Sequence, residues 1–169
     1  MAKQYKRKAA IAVLAVGEGS AEEAFLKHLK QIYLPRNCGT TAMVRNANGK
    51  GGAGVLRYAI AQRNGNKAVA RTIALLDTDT DWNDHQRAIA RRNAIIVVEC
   101  SPCLEAVLLA VVGRTGERTT AEHKDMFLQL HGATAHEPHV YPHHFAQEVL
   151  EEARQHVDAL DRLIRALTG

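Results

Sequence analysis

The chain has little of several features that would assign it to a specialised class of protein. Only 5% of its residues are aromatic, so Ala, Val, Leu and Ile must build the core. Three cysteines, an odd number, argue against a disulfide framework. No apolar run approaches the roughly 20 residues that a membrane helix needs. The run Ile11–Val16 is also too short for the apolar segment of a secretion signal. We therefore expect a cytoplasmic protein with no membrane partner.

Several motifs that identify enzyme classes are also missing. The dinucleotide-binding pattern is incomplete, because Gly17-Glu18-Gly19 continues to Glu22 and not to a third glycine. No Gly-x-Ser-x-Gly surrounds a nucleophilic serine. The glycine-rich segment 46–54 lacks the Gly-Lys-Ser/Thr ending of a P-loop. The acids of Asp77–Asp81 alternate as in a calcium loop, but the glycine and closing glutamate of that loop are absent.

The size and charge of the chain fit one folded domain. With 169 residues, of which 46% are hydrophobic and 24% charged, the chain can bury a substantial core. The net charge of +4 is mild, so it permits a nucleic-acid partner without requiring one. Much of that charge lies in the first eight residues, where we expect a solvated leader: Lys3, Lys6, Arg7 and Lys8.

Short apolar runs alternate with helical patterns along the chain. Unbroken apolar runs are typical of strands that are covered on both faces, and their alternation with helices is typical of a parallel sheet. The sequence therefore predicts an α/β fold with a central parallel sheet of about four strands, flanked by helices. The predicted strands are Ile11–Val16, Thr40–Arg45, Thr72–Leu76 and Ala94–Val98.

Six helices are predicted from helical spacing and end signals. Ser20 and Glu23 form a capping-box pattern at the start of the first helix, which Pro35 ends. The other helices are 55–62, 82–92, 104–112, 121–130 and a long closing helix, Ala146–Leu167. Residues 132–144 are expected to be irregular. We predict one domain, 1–169, with an α/β core over 9–112 and a C-terminal helical extension over 113–169.

Acidic residues follow the first and third predicted strands. Glu18 lies between two glycines that permit a sharp turn, and Asp77 and Asp79 follow the third strand directly. Ligands of open α/β sheets bind at the carboxyl ends of the strands, and gathered carboxylates repel one another unless a cation or a proton is present. These acids therefore predict a site for Mg²⁺ or Mn²⁺. For Glu22 and Asp81, helix capping is an equal or better explanation.

The segment after the fourth strand adds two acids and two thiols. Glu99 ends the strand and Glu105 lies one turn into the next helix, so either is a candidate for the same cluster. Cys100 and Cys103 have a Cys-x-x-Cys spacing, but no second such pair is present. We expect these two thiols to be buried structural residues.

Basic and histidine-rich segments are weaker candidates. Backbone amides of the glycine-rich segment around Lys50 suit a phosphate, although a plain flexible loop explains them equally well. Arg87, Arg91 and Arg92 are candidates to hold a nucleic-acid backbone. The five histidines of His131–His144 match no known zinc pattern, so a polar surface loop is the default and a proton shuttle is the alternative.

The order of these motifs resembles that of Toprim domains, the compact parallel α/β domains of topoisomerases, bacterial primases and nucleases of the overcoming-lysogenization-defect (OLD) type. The resemblance rests on the strand followed by Glu18-Gly19-x-x-Glu22 and the strand followed by Asp77-x-Asp79. Ser101-Pro102-Cys103-Leu104-Glu105 is similar to a segment of the RloB-like branch. The similarity covers about 9–112, and Ala106-Val107 stands where many relatives have an aromatic pair.

The resemblance implies a divalent-metal-dependent nuclease in a phage-defence or DNA-processing system. Glu18 matches the glutamate that acts as metal ligand or general acid/base, and Asp77 and Asp79 match the acidic pair that binds Mg²⁺ or Mn²⁺. Glu105 matches the helical glutamate of the RloB-like branch, as a further metal ligand. Lys50, Arg87 and Arg91 are then the nucleic-acid contacts. A separate ATPase or other protein subunit is an expected partner.

Two other functions stay open from the sequence. One is a non-catalytic module with this fold that binds nucleic acid or protein. The other is a small-molecule phosphotransferase or nucleotide-binding protein that uses the glycine-rich segment around Lys50.

Overall fold

The fold is a parallel α/β sheet with helices on both faces. In the computed structural model, residues 10–169 are described, and the basic residues Lys3 to Lys8 lie outside them. The four strands form one sheet in the order β2-β1-β3-β4, and all pairs are parallel. The predicted fold class is therefore confirmed. The strands are β1 (Ile11–Gly17), β2 (Thr40–Asn46), β3 (Val69–Asp77) and β4 (Ile95–Cys100).

Eight helices accompany the sheet within residues 10–169. The helices inside the α/β core are α1 (Ser20–Tyr33), α2 (Gly51–Asn64), α3 (Asp84–Arg92) and α4 (Leu104–Val111). The C-terminal helices are α5 (Thr120–His131), α6 (Val140–His144), α7 (Gln147–Ala153) and α8 (Asp158–Thr168). None of the helices in this part of the chain is long and apolar enough to cross a membrane.

The alternation of side chains along each strand divides the core into two layers. In β3, Ile73 and Leu75 pack on one face of the sheet, whereas Ala74 and Leu76 pack on the other. The first face is covered by α1, α4 and the C-terminal helices, and the second by α2 and α3. The C-terminal helices all pack on this first face, so their apolar side chains form one cluster with those of the sheet.

The strand order places a topological switch point between β1 and β3. The chain moves from β1 outward to β2 through α1, and then returns past β1 to β3 through α2 on the opposite face. The three crossovers therefore share one hand, as parallel connections do. Ligands of open α/β sheets bind in the crevice at such a point, outside the carboxyl ends of the strands. Here those ends are Gly17 and Asp77.

The start of α1 differs by one residue from the prediction. The N-cap is Gly19, and the side chain of Glu22 accepts a hydrogen bond from the Gly19 N–H at 2.8 Å. Ser20 is instead exposed as the first helical residue. Glu23 pairs with Lys27 at 2.7 Å. The shift arises because Glu22, not Glu23, faces back toward the turn that ends β1.

The predicted long closing helix is wrong, because residues 146–167 form two helices, α7 and α8. The N–H of His156 bonds to the carbonyl of Ala153 at 3.0 Å, a tighter i to i−3 bond that ends α7. The guanidinium of Arg154 then bridges the break, with its Nε 2.8 Å from Asp161 Oδ1 in α8. The turn lets Val157 and Leu160 stay buried against the same apolar layer. No proline or glycine marks this break in the sequence.

Other boundaries also differ from the prediction. The helix α2 begins four residues before the predicted start at Val55, inside the glycine-rich segment. The predicted helix 82–92 begins at Asp84, after the N-cap Asn83, whose side chain accepts bonds from two backbone N–H groups. The segment 132–144, predicted to be irregular, contains α6. Its Tyr141 is fully buried and stacks on Phe25 of α1, with ring centroids 5.6 Å apart.

Gly17 permits the close approach of β1 to α1 that shapes the switch point. A Cβ at Gly17 would lie 2.6 Å from Glu22 Cβ and 3.0 Å from the Glu23 nitrogen, closer than such atoms approach. These neighbours belong to the first turn of a helix, so they cannot move aside without displacing α1. Any side chain at Gly17 would therefore disturb the geometry at the end of β1.

We expect Gly17→Ala to lower the free energy of unfolding by about 1–3 kcal/mol, the usual cost of overpacking a core. Gly65→Ala is the matched control, because Gly65 has α-helical dihedrals and a Cβ there would meet nothing nearer than 3.6 Å. That variant should be neutral or stabilising by up to about 1 kcal/mol. Urea denaturation followed by circular dichroism measures both. Equal stability of the two variants would contradict the close approach at Gly17.

Candidate functional site

A cleft of about 400 Å³ opens at the carboxyl ends of β1 and β3. It lies at the topological switch point, where a parallel α/β sheet is expected to bind its ligand. Its walls come from the β1–α1 turn and from β3, α4 and α5. The charged side chains that line it are Glu18, Glu22, Asp77, Glu105 and Lys124.

Glu18 and Asp77 meet across the two central strands. Glu18 lies in the turn after β1, and its Oε2 accepts a hydrogen bond from the Asp77 backbone N–H at 3.2 Å. Asp77 is the last residue of β3, and its parity with Ile73 and Leu75 directs it toward the layer of α1 and α4. There its Oδ1 accepts a hydrogen bond from the N–H of Leu104, the first residue of α4, at 2.9 Å.

Two helical glutamates complete the acidic wall of the cleft. Glu22 is only 5% exposed and caps α1 through its bond from Gly19. Glu105 is 7% exposed and lies in the first turn of α4. Both lie at helix N-termini, where the helix dipole favours a negative charge. The two helix N-termini therefore stabilise part of the negative charge that these carboxylates bring into the cleft.

The acids of the cleft raise one another's pKa. Burial is the largest cause of a rise in the pKa of Asp77 to about 8, and the charges of Glu22, Glu105 and Glu18 add to it. Burial also raises the pKa of Glu18, against the lowering effect of its bond from Asp77, and the nearby charge of Asp79 adds to the rise. The pKa of Glu22 is raised first by burial and then by Glu105 and Glu18. The cleft therefore holds excess negative charge that a cation or a proton must relieve.

Lys124 of α5 is the cation that faces these acids. Partial burial works to lower the pKa of Lys124, but Glu105, Asp77 and Glu22 raise it above its ordinary value. The ammonium group is consequently charged and reaches the cleft from the C-terminal helices. The sequence did not single out this residue, because nothing in its local pattern connects α5 with the ends of β1 and β3.

Asp79 is exposed and does not line the cleft. Its Oδ2 accepts a hydrogen bond of 2.5 Å from Thr120 Oγ1, at the first residue of α5. Its charge still contributes to the raised pKa of Asp77 and of Glu18. Asp79 therefore belongs to the electrostatic field of the site, while its side chain is held by α5.

The glycine-rich segment is explained by packing against Asp81 and Trp82. The Oδ1 of Asp81 accepts a hydrogen bond from the N–H of Ala53 at 3.3 Å, so this acid caps α2 rather than α3. A Cβ at Gly51 would lie 2.7 Å from that same oxygen, and one at Gly52 would lie 2.9 Å from the Trp82 ring. The carboxylate of Asp81 thus occupies the N-terminus of α2, where a nucleotide would place its phosphate. This contact disfavours the nucleotide-binding alternative.

The predicted basic contacts have different environments. Lys50 is exposed at the N-cap of α2, next to Gly49, which lines the cleft. Arg91 is also exposed. Arg87 instead forms a two-pronged ion pair with Glu99, through bonds of 2.8 and 2.9 Å. Its charge is therefore already neutralised by a neighbouring strand.

Glu99 does not join the acidic cleft, whereas Glu105 does. In β4, Glu99 has the parity of Ile95 and Val97, which pack on the layer of α2 and α3. Its side chain therefore points to the opposite face of the sheet from Asp77, where Arg87 holds its pKa below the ordinary value. This orientation could have been predicted from the sequence, because side chains two residues apart on a strand, such as Val97 and Glu99, lie on the same face of the sheet.

The thiols and histidines contribute little to the cleft. Cys100 and Cys103 are buried, as expected, and burial raises the pKa of Cys103 to about 12. His131 packs between the rings of Phe127 and His144, at centroid distances of 4.5 and 4.4 Å. His136 alone among the predicted histidines lines the cleft, and it is exposed.

The donor set of the cleft suits a hard divalent cation, although the side chains are not arranged as a metal site. Within residues 10–169, no three His, Cys, Asp or Glu side chains are grouped so that they could hold an ion. The walls nevertheless supply carboxylate oxygens, which are the ligands that Mg²⁺ and Mn²⁺ prefer. The second sign of fit is that, after burial, the charges of Glu22, Glu105 and Glu18 also raise the pKa of Asp77, so negative charge gathers there. Binding would require the carboxylates to turn toward one point.

Comparison of the chain with protein-family models, with curated proteins and with solved structures gave no significant match. The fold and the cleft therefore define the class on their own. The protein is a parallel α/β protein with a carboxylate-lined cleft at its topological switch point. Within that class, its particular feature is an acidic wall of buried Glu22 and Glu105 and half-buried Asp77, faced by Lys124.

We expect the metal-free protein to lose stability as the pH rises from about 4 to about 8. A carboxyl group whose pKa is raised in the folded state holds its proton there but not in the unfolded chain, so its contribution is complete below pH 4 and is lost through pH 8. Asp77→Asn should remove this loss and gain at least about 1 kcal/mol at pH 8, the equivalent of one pKa unit.

Urea denaturation in EDTA at several pH values measures this effect. Asp125→Asn is the control, because Asp125 is an exposed acid of α5 that does not line the cleft. Asparagine at position 77 keeps an oxygen that can accept the Leu104 bond. A wild-type stability that stays level or rises between pH 5 and pH 8 relative to Asp77→Asn would contradict the raised pKa.

Proposed function

We propose that the chain is a Mg²⁺- or Mn²⁺-dependent nuclease of Toprim type that hydrolyses nucleic-acid phosphodiesters. One observation carries the proposal: Glu18 and Asp77, 59 residues apart in the chain, meet in one cleft at the switch point. Glu105 lines the same cleft, which supports its assignment as a further ligand. These are the residues that the Toprim resemblance selects.

The metal would be held by Asp77 and Glu105, with Asp79 outside the lining of the cleft, and Glu18 would either complete the ligation or transfer a proton. When bound, it supplies positive charge that polarises a phosphate oxygen and stabilises the transition state. Asp77 uses Oδ1 for the Leu104 bond, and Oδ2 is its other donor atom. The buried Glu22 adds to the field that favours a cation.

Glu18 is the candidate for proton transfer. Its pKa is raised, so a larger fraction of the carboxyl group holds a proton near neutral pH than in an ordinary glutamate. A general acid or base works best when its pKa approaches the working pH. Glu18 also lies at the mouth of the cleft between two glycines, where a phosphodiester backbone can approach closely.

Lys124 would orient the phosphate and balance its charge. Its ammonium group faces Glu105 and Asp77 from the far wall of the cleft. A fixed cation beside the reacting phosphate stabilises the charge that develops on the phosphoryl oxygens. The packing of α5 against α4 brings Lys124 to the cleft.

The setting of the activity is part of the proposal. Nucleic acid is the substrate partner, and a separate ATPase or other protein subunit completes a phage-defence or DNA-processing system. We place the protein in the cytoplasm, which its three unpaired cysteines support.

We expect the purified protein to cut plasmid, single-stranded DNA or RNA when Mn²⁺ is added and not in EDTA. Glu18→Gln and Asp77→Asn should each lower the rate by about 10²- to 10⁴-fold, because each removes a group that acts in the reaction. Asp125→Asn is the control and should cut at the wild-type rate. Gel electrophoresis of the products measures the rates. Cutting that survives both cleft substitutions unchanged would show that the activity lies elsewhere.

A second candidate is a non-catalytic binding module with the same fold. It is favoured by the bonds that the acids already make within the fold: Glu22 caps α1, Asp77 caps α4, and Asp79 bonds to Thr120. On this view the carboxylates hold helix ends in place, and the cleft is a by-product of that packing. The nuclease is favoured instead by the negative charge of Glu22, Glu105 and Glu18, which adds to the rise that burial causes in the pKa of Asp77.

Calorimetric titration with Mn²⁺ separates the two candidates. The nuclease proposal expects wild type to bind the ion at pH 8 and Asp77→Asn to bind it at least about tenfold more weakly, because a ligand charge is lost. Asp125→Asn should bind as wild type does. Absence of any binding by the wild type would favour the binding module.

A further inference from the structure

The layer formed by α2 and α3 carries a strong excess of positive charge. Helix α2 has two arginines and no acid, and the one acid of α3 is Asp84 at its N-terminus. We call the following set the basic face: Lys50, Arg57, Arg63, Lys67, Arg91 and Arg92. By contrast, residues 104–169 on the other layer contain ten acidic and six basic residues.

Few acids adjoin the basic face: Asp81 lies at the N-terminus of α2 and Asp84 at the N-terminus of α3. Among residues 10–169, none of its members forms an ion pair, whereas Arg154 and Arg165 of the opposite layer both pair with Asp161. All members except Arg63 are exposed. Arg63 donates to the backbone carbonyl of Asn93, so it retains its full charge. Arg87 is excluded from the face, because Glu99 and Asp84 neutralise it.

The basic face runs from the rim of the cleft to the opposite end of the sheet. Lys50 is the N-cap of α2, and the preceding Gly49 lines the cleft. Arg57 follows Lys50 by seven residues, or about two helical turns, so the two lie on the same side of α2. Both side chains lie within 4.0 Å of the position that a Cβ at Gly54 would take. Arg63 lies about 120° around α2 from Arg57, on the side toward α3, where its bond to Asn93 joins it to the end of that helix. The 14 residues of α2 span about 21 Å.

We propose that the basic face docks the phosphate backbone of a double-stranded nucleic acid and leads it into the cleft. This inference deepens the proposed nuclease function and rests on it. The length of α2, about 21 Å, corresponds to about six base pairs at 3.4 Å each. The charges are arginines and lysines on helix surfaces, which hold phosphates without reading bases.

The composition of the basic face favours a duplex over a single strand. Single-strand sites combine basic grooves with exposed aromatic rings on which the bases stack. The aromatic residues of this layer are Tyr58, which is half-buried, and Trp82, which is 7% exposed. A membrane surface is disfavoured as well, because large apolar side chains exposed in residues 10–169 lie elsewhere, at Ile11, Leu128, Leu130 and Val149.

Binding in EDTA tests this surface without any cleavage. We would measure fluorescence anisotropy of labelled 20-base-pair DNA, 20-base-pair RNA and single-stranded DNA over a range of salt concentrations. The variant Arg57→Gln/Arg91→Gln removes two charges from the basic face. The matched control, Lys30→Gln/Arg36→Gln, removes two exposed charges elsewhere, so both proteins have the same net charge.

We expect wild type to bind a duplex more tightly than the single strand. Each lost phosphate contact lowers the slope of log K against log salt by about 0.9, so the basic-face variant should lose about 1.8. Its affinity at 0.1 M salt should fall on the order of 60-fold by the same relation, and the control should stay near wild type. Comparison of the two duplexes tells whether DNA or RNA is preferred.

Three results would overturn the inference: no duplex binding by wild type, equal losses in the two variants, or tighter binding of the single strand. The failure of the nuclease proposal is a different result. In that case the duplex binds through the basic face in EDTA, but nothing is cut when Mn²⁺ is added. Asp77→Asn, which leaves the basic face intact, should bind the duplex at least as tightly as wild type.

Discussion

Three backbone N–H groups hold mutually repelling carboxylates in one cleft. The arrangement of the elements at the carboxyl ends of β1 and β3 depends on these three bonds. The Gly19 N–H holds Glu22 and so joins β1 to α1. The Asp77 N–H holds Glu18 and joins β1 to β3. The Leu104 N–H holds Asp77 and joins β3 to α4. Each bond stabilises a charge that burial opposes, so the contacts that join these elements also affect the pKa values of the acids.

This constraint explains why the two layers of the protein differ. The layer with α1, α4 and the C-terminal helices covers the acids and brings Lys124 against them. The layer with α2 and α3 has its own acid–base pairing at Glu99 and Arg87, and leaves its outer arginines uncompensated. One layer therefore covers the gathered carboxylates, and the other carries the unpaired positive charges of the basic face.

Much of the fold could be predicted from the sequence, because unbroken apolar runs that alternate with helices are typical of one architecture, a parallel sheet covered by helices on both faces. The chain position of each acid relative to its strand was accessible for the same reason. The helix ends were less so: the break between Ala153 and Asp158 has no proline or glycine, and only the bond from Arg154 to Asp161 and the burial of Val157 explain it. The cap of α2 by Asp81 also joins residues far apart in the chain.

The sequence by itself determined the parallel α/β fold, the placement of Glu18 and Asp77 at strand ends, and the burial of Cys100 and Cys103, because these follow from local patterns. Only the tertiary structure decided that Glu105 joins the acids while Glu99 turns away, that Lys124 faces them, and that Asp79 is held by Thr120. The physical reason is that side-chain neighbours across a cleft depend on strand order and helix packing, which no local pattern contains.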